Sequence, residues 1–152
     1  MHIVLVEPEI PANTGNIART CSVTGASLHL VKPLGFSTDD RYLKRAGLDY
    51  WHQLDLHYHE DFSALRRQYP DGRFWYLSTK AAKSYHQVEY KEDDFLVFGK
   101  ETAGLPKALL AQNPEYCLRI PMLESVRSLN LSNSAAVVLY EALRQLEFPQ
   151  MK

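Results

Sequence analysis

The feature that most constrains this chain is an alternation. Short apolar runs rich in β-branched and aromatic residues recur at 2–6, 28–31, 73–77, 95–98 and 117–120, each bounded by Pro, Gly or Asn. Such runs read as strands. Between them lie helical patterns at 14–24, 40–46, 61–69 and 106–112, and a last one at 132–146. Strands alternating with helices predict an α/β fold, a mostly parallel sheet flanked by helices. No repeat, linker or low-complexity tract divides the 152 residues, so residues 1–152 are expected to form a single domain.

Composition narrows the function classes. Hydrophobic residues at 45% and charged residues at 23% exclude a disordered chain. No apolar run approaches the roughly 20 residues of a membrane span, so no membrane partner is expected. The first apolar run is short and meets Glu7 at once, which does not suit a signal peptide, so a cytoplasmic location is expected. Cys21 and Cys117 read as buried small hydrophobes. His57 and His59 alternate along a further probable-strand pattern and are expected at the surface. Nothing has zinc-like spacing, and no metal is expected.

A net charge of -1 argues against a generally basic nucleic-acid binder, but phosphate contact is a matter of one face. Residues 41–45 carry Arg41, Lys44 and Arg45 with no negative charge between them. Arg66, Arg67, Arg73, Lys80 and Lys83 are opposed only by Asp71.

Three segments carry candidate chemistry. The first, Asn13 to Arg19, follows the first strand. It has one glycine instead of the G-x-G-x-x-G fingerprint, and Lys32-Pro33 stand where a ribose-binding acid would be, which disfavours a nicotinamide oxidoreductase. Asn13 is expected to cap the helix, with Arg19 one to two turns in. The second, Phe98 to Pro106, has two glycines at P-loop spacing, but Leu105-Pro106 replace the Lys-Ser/Thr pair, so an NTPase is disfavoured. Gly99 and Gly104 would still let backbone approach a ligand. The third, Ile120 to Ser134, gathers Ser128, Asn130, Ser132, Asn133 and Ser134 near Ile120, Met122 and Leu129. That is more polar capacity than one helix cap needs, and it suggests a pocket with apolar walls. Hydrolase and metalloprotease motifs are absent.

The last helical pattern is apolar on more than one face: Ala135, Val137, Val138, Tyr140, Ala142 and Leu143 go round it. Burial on two sides, by its own sheet and by a second copy, predicts a homodimer with Tyr140 in the interface. One domain of this length has a radius of gyration of about 15 Å.

Taken in order, these segments resemble the SPOUT superfamily of methyltransferases, and within it the TrmL (YibK-like) family of tRNA wobble-nucleotide 2′-O-methyltransferases. The likeness runs through Ile3-Val4-Leu5, Glu7 to Pro11, Asn13 to Arg19, Gly35-Phe36, Asp39-Asp40 and Arg45 to Tyr50. It continues through Phe98 to Pro106, Arg119 to Met122, Ser128 to Asn133, Tyr140 to Ala142 and Arg144 to Leu146, nearly the whole chain. Lys100 stands where the family usually has Pro, and Ala103 where it has Arg.

The resemblance implies a C-terminal trefoil knot, S-adenosylmethionine as methyl donor, and the tRNA anticodon stem-loop as partner. It implies a cofactor site at Leu77, Gly99, Gly104, Ile120, Met122, Ser128 and Leu129; with an RNA substrate, the helix start at Asn13 and the basic run of Arg41, Lys44 and Arg45 are the expected RNA contacts. Arg19 matches the arginine assigned to catalysis. Because a guanidinium stays protonated, binding the adjacent phosphate suits it better than acting as base. Glu101 and Asn130 are further catalytic candidates, orienting the ribose or the cofactor amine. A 2′-O-methyltransferase acting on rRNA, or a module that binds cofactor or RNA without chemistry, are the alternatives.

Overall fold

The computed structural model describes residues 1–37 and 53–152. In chain order the elements are β1 (His2–Val6), α1 (Pro11–Thr24), β2 (Ser27–Val31), β3 (Leu56–His59), α2 (Phe62–Gln68), β4 (Phe74–Leu77), β5 (Lys83–Ser84), β6 (Phe95–Phe98), α3 (Lys107–Gln112), β7 (Cys117–Arg119) and α4 (Leu131–Gln145). The strands form one sheet in the order β3-β2-β1-β6-β4-β7-β5. Every pairing within it is parallel. The α/β expectation holds, and all five strands expected from the apolar runs are present. The two-residue β5 carries too little pattern to be read from sequence. The helix expected at 40–46, with Arg41, Lys44 and Arg45, lies outside the described residues.

Side chains alternate across the strands and build two cores. Ile3, Leu5, Leu28, Leu30, Leu96, Phe98 and Leu118 face α1 and α4, meeting Ile17, Cys21, Ala135, Val138 and Leu139. Val4, Val6, Val31, Phe74, Tyr76, Phe95 and Val97 face the other way, toward Leu65 of α2 and Leu109 and Leu110 of α3. Both cysteines are buried and free, as expected. Helix α1 starts at Pro11, whose fixed φ suits a first turn, and ends at Gly25 in the left-handed region (φ 72°).

Helix α4 buries Ala135, Val138, Leu139, Ala142 and Leu143 on one stripe of i, i+3, i+4 spacing. Val137 and Tyr140, the apolar residues on its other side, are 38% and 42% exposed in the single chain.

Two polar clusters are built against the sheet. The Asp94 carboxylate is 1% exposed and accepts from Arg73 Nε (2.7 Å), Arg73 Nη2 (2.6 Å), Trp75 Nε1 (2.9 Å) and the Lys91 amide (2.9 Å). Arg73 is thereby removed from the basic run that the sequence offered to a phosphate. The second cluster corrects an expectation. His59 is buried, not at the surface, and His57 is half-buried. His29 Nε2 lies 3.0 Å from His2 Nδ1, and its Nδ1 lies 3.0 Å from His59 Nε2, while the His57 ring stacks on His29. His57 and His59, two residues apart, share one face of β3, and that face is covered because β2 brings His29 alongside and α2 packs on it.

Candidate functional site

In a parallel sheet the strands' carboxyl ends open into loops where ligands sit. Here β6, β4 and β7 are neighbours, and the loops that follow them enclose a cavity of about 570 Å³. Leu77 enters from β4, Gly99 and Gly104 from the loop after β6, and Ile120, Met122, Ser128 and Leu129 from the segment between β7 and α4. Those seven expected cofactor-site residues all line it, together with Asn13, Glu101 and Asn130. Phe98 and Leu105 complete the apolar walls.

Gly99 is required for a reason other than the expected one. A Cβ there would lie 2.0 Å from the Gly104 carbonyl carbon and 2.2 Å from the Leu105 nitrogen. The close approach is between two strands of the same loop, closed by the Gly104 amide donating to the Lys100 carbonyl at 2.8 Å. Gly104 itself has φ +69°, a conformation that favours glycine.

Asn13 does not cap α1. The helix begins two residues earlier, with Ile10 at the N-cap, so Asn13 is buried in the first turn. Its amide is a bridge. Nδ2 donates to Glu101 Oε1 (3.1 Å), and Oδ1 accepts from Asn130 Nδ2 (3.0 Å). The capping is done from a distance: Glu101 Oε2 accepts from the Glu9 amide (2.9 Å) and Oε1 from the Ile10 amide (3.1 Å). A carboxylate at the positive end of a helix, accepting backbone N–H, is favourably placed. Asn130 Oδ1 in turn caps α4, accepting from the Ser132 amide (2.9 Å) and hydroxyl (2.6 Å). Glu101, Asn13 and Asn130 therefore tie three loops together around one cavity.

Two more links join the same loops. Glu9 accepts from the Thr102 amide (3.0 Å) and hydroxyl (2.8 Å). Lys100 Nζ donates to Glu7 at 2.7 Å, and that partner raises the lysine pKa.

Arg19 is exposed and does not line the cavity. Six residues along a helix is about 240° of rotation from Asn13, so the two side chains leave α1 in different directions. Sequence reading missed Ser78, Thr79, Lys107 and Arg127, which also line the cavity, as does Lys80, read only as part of a basic run. The available signal was position: Ser78-Thr79-Lys80 follow directly on a strand's carboxyl end. Among the described residues no group of histidine, cysteine and carboxylate side chains could hold a metal ion, and no helix is long and apolar enough to cross a membrane.

Residues 1–140 match the SpoU rRNA Methylase family. A tRNA (cytidine(34)-2′-O)-methyltransferase of Saccharophagus degradans is 52% identical over 152 residues, covering 99% of this chain and 99% of that one. A solved structure described as giving insight into 2′-OH methylation of C/U34 on tRNA superposes with a TM-score of 0.92 at 46% identity, covering 96% and 95% of the two chains. An rRNA methyltransferase from Sinorhizobium meliloti, solved with S-adenosylmethionine bound, superposes at 0.81 with 28% identity, covering 95% of this chain and 56% of that one.

Proposed function

The chain belongs to the SpoU methylase family, and we propose that it transfers a methyl group from S-adenosylmethionine to the ribose 2′-OH of the tRNA wobble nucleotide, cytidine or uridine 34. The end-to-end likeness to the S. degradans enzyme carries the reading. An rRNA target is disfavoured because that likeness extends over the full length of a tRNA enzyme.

The cavity suits the methyl donor. Its volume falls within the roughly 300–1,000 Å³ of small-molecule sites. Its apolar walls at Leu77, Phe98, Leu105, Ile120 and Leu129 suit an adenine, while Ser128 and the loop backbones offer hydrogen bonds. When bound, S-adenosylmethionine supplies a methyl group already activated by the adjoining sulfonium charge.

The protein's task is then to place the 2′-oxygen in line and let its proton leave. Alignment of this kind is worth several powers of ten in rate. Glu101, Asn13 and Asn130 hold the loops that shape the cavity, so they act as positioning residues. Arg19, exposed and outside the cavity, binds a phosphate of the tRNA. The proton passes to water or to another group. Arg41, Lys44 and Arg45 add phosphate contacts.

Three structural features belong to the same reading. The chain after β6 threads into a trefoil knot at the cofactor site. Two copies pair through the exposed side of α4, with Val137 and Tyr140 buried in the interface. The enzyme works in the cytoplasm, where its tRNA is.

The test is labelled-methyl transfer to total RNA from cells lacking this gene, followed by nucleotide mapping. Label at position 34 of a tRNA is the expected result. Label confined to rRNA, or none with cofactor bound, would overturn it in favour of an rRNA enzyme or a non-catalytic binding module.

A further inference from the structure

The cavity's charge is unbalanced in a way its proposed cofactor does not explain. Five charged residues line it: Lys80, Lys100, Lys107, Arg127 and Glu101. Glu101 is turned onto two backbone amides and Asn13, and Lys100 is paired with Glu7. That leaves Lys80, Lys107 and Arg127. They come from three separate segments: the turn after β4, the start of α3 and the loop before α4. Each is exposed, and none has a carboxylate partner among the described residues.

Converging unpaired cations raise the local potential well above what a net charge of -1 suggests. S-adenosylmethionine carries one carboxylate, balanced by its own ammonium and sulfonium, and cannot neutralise three. A polyphosphate chain can. An RNA strand whose ribose reaches into the cavity must carry its flanking phosphates across this rim. Lysine as a point charge and arginine as a bidentate fork both suit phosphate oxygens, and such contacts carry no base information.

We propose that Lys80, Lys107 and Arg127 form a phosphate-gripping rim that holds the RNA backbone on both sides of the nucleotide being methylated. This rests on the reading of the chain as an RNA 2′-O-methyltransferase. The rim sets RNA affinity and its salt dependence, without contributing to discrimination between bases.

The test uses the full chain, a tRNA anticodon stem-loop and the triple variant Lys80→Gln, Lys107→Gln, Arg127→Gln. RNA affinity is measured from 50 to 300 mM KCl and cofactor affinity by calorimetry. Each lost phosphate contact flattens the plot of log affinity against log salt by about 0.7–0.9. The variant's slope should therefore fall by about 2, and KM for RNA should rise about tenfold at moderate salt. Cofactor affinity should stay within about twofold of the parent, and the charge-keeping variant Lys80→Arg, Lys107→Arg with Arg127 intact should keep the parental slope. An unchanged slope overturns the rim while leaving the methyltransferase reading standing. A parallel loss of cofactor affinity overturns it in favour of a cofactor role for these cations. If the parent neither binds nor methylates tRNA, the functional reading fails and the rim with it.

Discussion

Replacing Glu101 by Gln separates positioning from chemistry. The carboxylate accepts three hydrogen bonds, with Oε1 serving the Ile10 amide and Asn13 Nδ2, and Oε2 serving the Glu9 amide. A glutamine keeps one oxygen. In its better orientation it retains the two donors at Oε1 and turns an NH2 group against the Glu9 N–H. One charge-assisted bond, worth about 1.5–3 kcal/mol, is lost and becomes a donor–donor contact. Because the site is half-buried, the lower end applies, about 1.5–2 kcal/mol. For a chain of this size that lowers Tm by about 4–8 °C. The same change loosens the start of α1 against the cavity through the lost Glu9 bond, while Asn13 keeps its acceptor at Oε1. Thermal unfolding, calorimetry with S-adenosylmethionine and steady-state kinetics should show the drop in Tm together with weaker cofactor binding. The shape of the pH–rate profile should not change. Unchanged Tm and cofactor affinity, with a collapsed kcat and a displaced pH–rate profile, would refute the reasoning and place Glu101 on the reacting atoms.

Gly99→Ala pushes a Cβ into the Gly104–Leu105 backbone, so the loop must move. Cofactor affinity should fall at least about tenfold, as one or two kcal/mol of strain implies, and near-parental calorimetry would contradict that. Asp94→Asn leaves Arg73 without its anion and weakens the bond from Trp75 Nε1. Denaturant unfolding should show a loss of about 2–3 kcal/mol, the lower side of a broken buried pair because Arg73 is partly exposed. The histidine chain makes the fold acid-sensitive. Burial pushes the His29 pKa down to about 3 and that of His2 to about 4, and it lowers His59 as well. Below about pH 6.5 the unfolded chain takes up protons that the folded chain refuses, so stability falls as pH drops from there toward 4. Buried His29 alone contributes a slope of about 1.4 kcal/mol per pH unit. Urea unfolding at pH 7, 6 and 5 should show it, and His29→Gln should flatten it; a flat parental profile would count against a neutral buried cluster.

Much of the fold was legible because it depends on local patterns. The apolar runs located β1, β2, β4, β6 and β7 to within a residue, and the glycines and prolines around them marked the turns. What was not legible depends on contacts distant in the chain. Asn13 has the residue type and position of a helix cap, and local rules assign it that role. The residue that displaces it, Glu101, is 88 positions away. Likewise Arg73 belongs to a basic run until Asp94 is folded against it. The histidines of β3 lie on a surface-like alternation until β2 supplies His29. The residues expected at a cofactor site could be brought to one cavity from sequence because glycines and a serine–asparagine cluster at strand ends are local signals. Lys80, Lys107 and Arg127 were missed as a set because no spacing joins them; only the sheet order β6-β4-β7 does.

The most direct measurement of the central claim uses two synthetic anticodon stem-loops that differ by one atom. One carries cytidine at position 34, and the other carries 2′-deoxycytidine there with ribose elsewhere. Incubated with the protein and labelled S-adenosylmethionine, the first should acquire one methyl group at nucleotide 34 and the second none, because the 2′-OH is the acceptor and the feature that separates RNA from DNA. Equal labelling of both, or label mapping to a base or to another nucleotide, would contradict the account.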